Sequence, residues 1–134
     1  MSDKAREKLD PVDLQLRQAY GIGMLSGTDV VILGTPAAVH FLSVEPLLGD
    51  VDLAPYYDLD GIQWVIVGGE SGPGARPMDL VWVERIIVNA HHADVPVFVK
   101  QLGSVWAREN GATDRKGGDP DEWPEYLRVR EYPA

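Results

Sequence analysis

Three short apolar runs in the chain each end abruptly at polar residues. Phe41 to Val44 stops at Glu45-Pro46, Ile62 to Val67 stops at a glycine-rich loop, and Val95 to Val99 stops at Lys100-Gln101. Runs of this length and composition predict buried β-strands. Because parallel strands in α/β proteins bind ligands at their carboxyl ends, the three endings predict a site at one edge of a sheet.

The segment between the second and third runs has the apolar spacing of a helix. Leu80, Val83, Ile87 and Ala90 recur three and four residues apart, and Asp79 is the expected N-cap. A strand, helix, strand order predicts parallel pairing with a right-handed crossover. The pattern therefore predicts an α/β fold with about three to four mostly parallel strands.

The first 34 residues follow a different pattern. Asp10 is expected to cap a helix that begins at Pro11, carries Val12, Leu16 and Ala19 on one face, and ends near Gly21. Residues 1 to 28 are predicted to form two short helical pieces with a glycine-rich exit, and 29 to 33 a short strand. The apolar helix face is expected to cover the domain, with contact to another chain as the alternative.

These patterns divide the chain into three segments. Residues 1–34 form an N-terminal helical segment, residues 35–103 a βαβ core, and residues 104–134 a polar tail. Four aromatic residues are spaced along the tail as anchors: Trp106, Trp123, Tyr126 and Tyr132. The tail is therefore expected to wrap back over the core.

Composition restricts the classes of function. The chain has 134 residues, enough for one domain, and 45% of them are hydrophobic. No apolar run is long enough to span a bilayer and the first twenty residues do not form a signal peptide, so we expect a cytoplasmic location without membrane contact. The absence of cysteine excludes disulfides, a cysteine nucleophile, thiolate zinc sites and a cysteine-held iron–sulfur cluster in this chain alone.

The charge distribution argues against nucleic acid as a direct partner. The formal net charge is -9, and residues 35 to 103 hold nine acidic residues against three basic ones. A nucleic-acid interface carries the opposite sign. Metal binding is not predicted either, because the neighbouring His91 and His92 point in different directions on a helix.

The strand endings supply the candidate binding residues. Because side chains alternate along a strand, Phe41, Ser43 and Glu45 share one face. The Glu45 carboxylate is suited to an amine, a ribose hydroxyl or a guanidinium, and capping of a neighbouring loop is the structural alternative. Lys100 and Gln101 combine a mobile cation with an amide that donates and accepts, a pair suited to a carboxylate or a nucleotide.

The glycine-rich loop from Gly68 to Arg76 is a candidate anion cradle. Its backbone N–H groups are unobstructed by side chains, it leads toward a helix N-terminus, and Arg76 can add a forked donor. It is neither a Walker loop nor the dinucleotide fingerprint. Ordinary turn chemistry is an equally weighted alternative.

Several long phrases resemble a known family, the radical S-adenosylmethionine-like proteins of unknown function found in phages and bacteria. The matching phrases, in the family's order, are 35–39, 41–49, 64–77, 97–103, 116–124 and 127–130. The resemblance covers about residues 35 to 134, roughly the C-terminal half of a full-length member. Residues 1 to 34 do not resemble the family.

The resemblance implies a partial (β/α) barrel whose complete form binds a 4Fe–4S cluster and S-adenosylmethionine at the carboxyl edge. It implies cofactor-facing positions at Glu45, Glu70, Ser71, Lys100 and Gln101, either functional or relics, and Gly68, Gly69 and Arg76 complete the candidate set. The family's three-cysteine motif lies in the half that this chain lacks. S-adenosylmethionine is therefore a candidate ligand, whereas the cluster requires a partner that supplies cysteines.

Three functions follow as hypotheses. The favoured one is a truncated, cluster-less family member acting as a non-catalytic binding or interaction module. The first alternative is the C-terminal part of a split radical enzyme completed by a cysteine-bearing partner, and the second is a different enzyme that uses Glu45 or Glu70 as base. Because a half barrel leaves open sheet edges and an uncovered apolar face, self-association or a protein partner is predicted.

Overall fold

From Phe41 onward, strands and helices alternate along the chain in the computed structural model, which describes residues 22–26, 29–31, 39–59 and 61–134. The elements in chain order are β1 (Ile22–Ser26), β2 (Asp29–Val31), β3 (Phe41–Val44), α1 (Ala54–Leu59), β4 (Trp64–Val67), α2 (Leu80–His92), β5 (Val97–Val99) and α3 (Ser104–Glu109). Two short 3₁₀ turns, Pro120–Glu122 and Glu125–Leu127, follow in the tail. No described helix is long and apolar enough to cross a membrane.

The strands form one sheet in the order β2-β1-β3-β4-β5. β1, β3, β4 and β5 pair in parallel, whereas β2 pairs with β1 in antiparallel fashion. The register places Ser43 beside Ile66, and Ile66 beside Phe98. The predicted α/β class and the parallel pairing of the three apolar strands are confirmed.

The sheet has two different faces. One, which we name the core face, carries the fully buried side chains of Leu42, Val44, Val65, Val67, Val97 and Val99. The other, which we name the open face, carries the half-buried side chains of Phe41, Ser43, Trp64, Ile66 and Phe98. This alternation follows from the two-residue period of a strand.

Helix α2 packs into the same core as the core face. Val83, Ile87 and Ala90 of the predicted stripe are buried there, together with Ile86. Asp79 caps the helix as predicted, because its Oδ1 accepts a hydrogen bond of 2.9 Å from the Val81 N–H. The open face lies on the side of the sheet opposite to α2.

The tail covers the outer edge of β5. The Val99 N–H donates to the Val129 carbonyl and the Glu131 N–H to the Val97 carbonyl, both at 2.8 Å. Further along the tail, Trp123 is buried and its Nε1 donates to the Gly117 carbonyl at 2.8 Å. The chain itself therefore provides backbone hydrogen-bond partners for the outer edge of β5.

The N-terminal region agrees only in part with the sequence analysis. The predicted helix from Pro11 lies outside the described residues. Asp29–Val31 is a strand, as predicted, but Ile22–Ser26 is also a strand where a glycine-rich exit of a helical segment was expected. The segment forms a strand because β1 pairs with both β2 and β3, and this pairing outweighs the weak strand propensity of the glycine in β1.

Helix α1 was not predicted in the acidic connection after β3. Asp52 Oδ1 accepts a hydrogen bond of 3.0 Å from the Ala54 N–H, and Pro55 lies in the first turn. Leu53 and Tyr57 are buried on the core side. A helix of six residues is too short for its apolar period to be visible in the sequence.

Candidate functional site

Polar side chains from the ends of β3 and β5 meet at the carboxyl edge of the sheet. Gln101 is buried, and its Nε2 donates to Glu45 Oε1 and to the Gly69 carbonyl, each at 2.7 Å. Lys100 Nζ lies 3.4 Å from the other carboxylate oxygen of Glu45. The Glu45–Pro46 peptide bond is cis. Four of the predicted site residues, Glu45, Gly69, Lys100 and Gln101, are thus brought into direct contact.

Close backbone approach explains the paired glycines after β4. An alanine Cβ at Gly68 would lie 2.6 Å from Gln101 Nε2, and one at Gly69 would lie 2.4 Å from the Leu102 carbonyl oxygen. The Gly68 N–H donates to the Val44 carbonyl at 3.2 Å and the Gly69 N–H to the Gln101 carbonyl at 3.0 Å. These two N–H groups therefore join neighbouring strand ends and are not available to cradle an anion.

The rest of the loop is braced by an ion pair. Arg76 donates from its backbone N–H and Nε to Glu70 Oε1, at 3.0 and 3.1 Å, and from a terminal nitrogen to Oε2 at 2.6 Å. The side-chain hydrogen bond from Arg76 is the main reason that the pKa of Glu70 is lowered. The forked donor expected for an anion is therefore directed at Glu70. Ser71 is exposed nearby.

A groove of about 280 Å³ runs over the open face toward Glu45 and Lys100. We name it the ligand groove; it is lined by Ser43, Glu45, Trp64, Ile66, Phe98, Lys100 and Tyr132. Its wall is aromatic: the ring centroids of Trp64 and Phe98 lie 6.3 Å apart, and Tyr132 lies 5.9 and 5.5 Å from them. A charged pair at one end and aromatic rings in edge-to-face and tilted contact along the wall give the groove an amphipathic character.

The aromatic wall was not predicted as part of the site. Strand alternation could have identified Trp64 and Phe98, because they share a face with Ser43 and Glu45 once the parallel register is known. Tyr132 gave no such signal, since it comes from the tail and reaches the groove only through the pairing of residues 129–131 with β5. Trp64 is fixed by a 2.9 Å hydrogen bond from Nε1 to the Glu131 carbonyl.

A larger cavity, of about 700 Å³, lies at the opposite edge, beside the residues that precede β4 and β5. There Glu131 Oε1 accepts from the Val97 N–H at 2.9 Å and lies 2.8 Å from His91 Nε2. Burial opposes ionisation of Glu131, but these two hydrogen bonds outweigh it and lower its pKa. No predicted site residue lines this cavity, and parallel sheets bind ligands at the other edge.

Comparison with known proteins places the site within one family. The family model described as protein of unknown function (DUF5131) matches residues 27–126. The matched range contains every predicted site residue and helix α2, whereas Tyr132 lies beyond it. No curated protein and no solved structure matches the chain significantly.

Proposed function

We propose that this chain, which belongs to the DUF5131 family of proteins of unknown function, is a non-catalytic binding module built on part of a (β/α) barrel. In such barrels the helices cover one face of the sheet and the other face points inward. Here α2 covers the core face and the open face stays half-buried. The observation that carries the proposal is the ligand groove, which joins Glu45 and Lys100 to the aromatic wall.

The chemistry of the groove favours S-adenosylmethionine as the ligand. This molecule combines a sulfonium cation and a planar adenine with an amino group and a carboxylate. Trp64 and Phe98 suit the sulfonium or the adenine, Glu45 suits the amino group, and Lys100 the carboxylate. The resemblance to radical S-adenosylmethionine-like proteins supports the same ligand. The groove volume of about 280 Å³ is near the lower limit for ligand sites, so it holds part of such a molecule.

Iron–sulfur chemistry does not belong to this chain alone. A 4Fe–4S cluster is held by cysteine thiolates, and the sequence contains no cysteine. The side chains of the chain therefore do not fit the cluster, and no reaction is derived through it. For a chain without cysteine ligands, the function that we propose is therefore binding without radical catalysis.

One observation favours a second candidate, the C-terminal part of a split enzyme. The open face carries Phe41, Trp64 and Phe98 in a half-buried state, as expected for an inward barrel face that further strands would cover. The sheet edges oppose this candidate, because β2 pairs antiparallel beside β1 and the tail covers β5. A partner that adds parallel strands would have to displace one of them. Sedimentation of the purified chain as a stable monomer, with no slow aggregation of an uncovered surface, would count against both a partner and self-association.

Calorimetric titration with S-adenosylmethionine tests the binding proposal. We expect saturable binding that weakens about tenfold or more in Glu45→Gln, because a charge-assisted hydrogen bond is lost. Glu84→Gln is the matched control, since Glu84 is an exposed residue of α2 away from the groove. Absence of binding by folded protein, or equal weakening in both variants, would contradict the proposal.

A further inference from the structure

A second cavity, of about 360 Å³, lies beside the glycine-rich loop and is lined by two arginines. We name it the arginine pocket; its lining consists of Gly72, Pro73, Ser104, Ala107, Arg108, Ala112 and Arg115. None of these residues lines the ligand groove. A concave surface with a few polar groups against small apolar side chains is the usual form of a small-molecule site.

The two arginines differ from the other arginines in the described part of the chain. Arg76 and Arg85 form ion pairs with acidic side chains, and Arg128 and Arg130 donate to backbone carbonyls. Arg108 and Arg115 have neither kind of partner among the described residues. Carboxylates are abundant in this chain, with 21 acidic residues against 12 basic ones. Two guanidiniums that have no ion-pair partner among the described residues therefore line one cavity of an acidic protein.

Nearby carboxylates accept hydrogen bonds from the backbone of the loop that carries Arg115. Glu122 accepts from the Thr113 N–H at 2.7 Å and from the Asp114 N–H at 3.1 Å. Asp114 Oδ1 accepts from the Lys116 N–H at 2.9 Å. The Ala112 N–H donates to the Ala107 carbonyl at 2.9 Å, which fixes this loop against α3. The backbone that carries both arginines is thus organised before any ligand arrives.

Ser104 adds a hydroxyl to the same cavity. Its Oγ accepts a hydrogen bond of 2.9 Å from the Gly72 N–H. A hydroxyl has one proton to donate, and no described residue accepts it from Ser104. The proton can therefore point at a ligand without breaking the contact that holds Gly72 in place.

We infer that the arginine pocket binds the phosphate group of a small organic phosphate. Two forked guanidinium donors and one hydroxyl need more acceptor atoms than the two oxygens of a carboxylate. A phosphate monoester presents three terminal oxygens and between one and two negative charges at neutral pH. Pro73, Ala107 and Ala112 then contact the organic part. The inference does not rest on the ligand groove, because S-adenosylmethionine contains no phosphate.

Calorimetry of the full chain at low salt tests the inference with three probes: adenosine 5′-monophosphate, inorganic phosphate and adenosine. We expect saturable binding of adenosine 5′-monophosphate and weaker binding of inorganic phosphate, because the apolar lining has no partner in the free ion. Equal affinity for adenosine 5′-monophosphate and inorganic phosphate would mean that the pocket recognises the phosphate group alone, and would identify free phosphate as the ligand. Adenosine, which lacks the phosphate group, is expected not to bind at the arginine pocket.

Substitution of the arginines separates a built pocket from general attraction of anions. Arg108→Gln and Arg115→Gln are each expected to weaken adenosine 5′-monophosphate binding about tenfold. Arg85→Gln changes the net charge equally but lies on α2, so it is expected to leave the affinity within about twofold. Arg115→Lys keeps the charge without the fork and should recover only part of the affinity. Unchanged affinity in the Arg108→Gln, Arg115→Gln double variant, or no saturable binding at millimolar probe, would overturn the inference.

Discussion

Replacing Gly69 by alanine tests how closely the ends of β4 and β5 approach each other. The added Cβ would lie 2.4 Å from the Leu102 carbonyl oxygen, 2.8 Å from its carbon and 3.1 Å from Gly103 Cα. All three atoms belong to the backbone, so no side chain can rotate away. Leu102 and Gly103 are held from the other side, because their N–H groups donate to the Gly117 and Lys116 carbonyls at 2.9 Å.

The expected cost follows from this geometry. The added Cβ and the Leu102 carbonyl oxygen would have to move apart by about 1 Å to reach an ordinary carbon–oxygen contact distance. Overpacking of this kind costs about 1–3 kcal/mol. The displacement also weakens the hydrogen bonds that join Gly69 to Gln101, each worth about 1 kcal/mol. We therefore expect the free energy of unfolding to fall by about 2–5 kcal/mol, a large part of a typical stability of about 5–15 kcal/mol.

Urea denaturation followed by tryptophan fluorescence measures this change, with Gly49→Ala as the matched control. Nothing lies within 4 Å of a Cβ at Gly49, and its φ is outside the left-handed region. Alanine there is expected to be neutral or to stabilise by about 0.4–1 kcal/mol through the unfolded chain. A Gly69→Ala protein within about 0.5 kcal/mol of the parent would refute the close approach of the two strand ends.

Three further predictions concern the packing and the electrostatics around the site. Gln101→Met removes the amide that binds Glu45 and Gly69, so the free energy of unfolding is expected to fall by about 1–3 kcal/mol in chemical denaturation; an unchanged midpoint would contradict the contact. Trp123→Ala empties a buried position of the tail and is expected to cost about 3–5 kcal/mol, whereas Tyr126→Ala, at an exposed position, should stay within about 0.5 kcal/mol. The folded-state pKa of Glu131 is lowered. The stabilisation that the Glu131 carboxylate contributes to the fold is therefore present above its unfolded-state pKa of about 4.3 and is lost as the pH falls through its folded-state pKa. Glu131→Gln should therefore lower thermal stability at neutral pH and flatten the acid-side decline, and parallel pH profiles of the two proteins would contradict this.

The parts of the fold that could be predicted are those with local periodicity. The stripe on α2 and its Asp79 cap, and the apolar runs of β3 to β5, follow from spacing alone, because each side chain repeats its environment with the period of its element. β1 and α1 could not be predicted, since both are short and depend on tertiary neighbours: β1 on the strands beside it, α1 on burial of Tyr57.

The candidate site, like the fold, could be predicted only where its residues belong to a regular element. The strand endings correctly indicated that Glu45, Lys100 and Gln101 approach one another, because the parallel order brings carboxyl ends to one edge. The loop chemistry could not be predicted, because whether Arg76 points at a ligand or at Glu70 depends on a turn that leaves no periodic trace. Tyr132 likewise reaches the ligand groove only through pairing of the tail with β5.

The central claim is that the open face of the sheet binds a ligand between the aromatic wall and the Glu45–Lys100 pair. Amide NMR spectra of the labelled chain, recorded during titration with S-adenosylmethionine, test it most directly. We predict saturable shifts of the Trp64 indole N–H and of the Ser43, Ile66 and Lys100 amides, with the amides of α2 unmoved. Shifts that do not saturate, or that avoid the groove, would contradict the account.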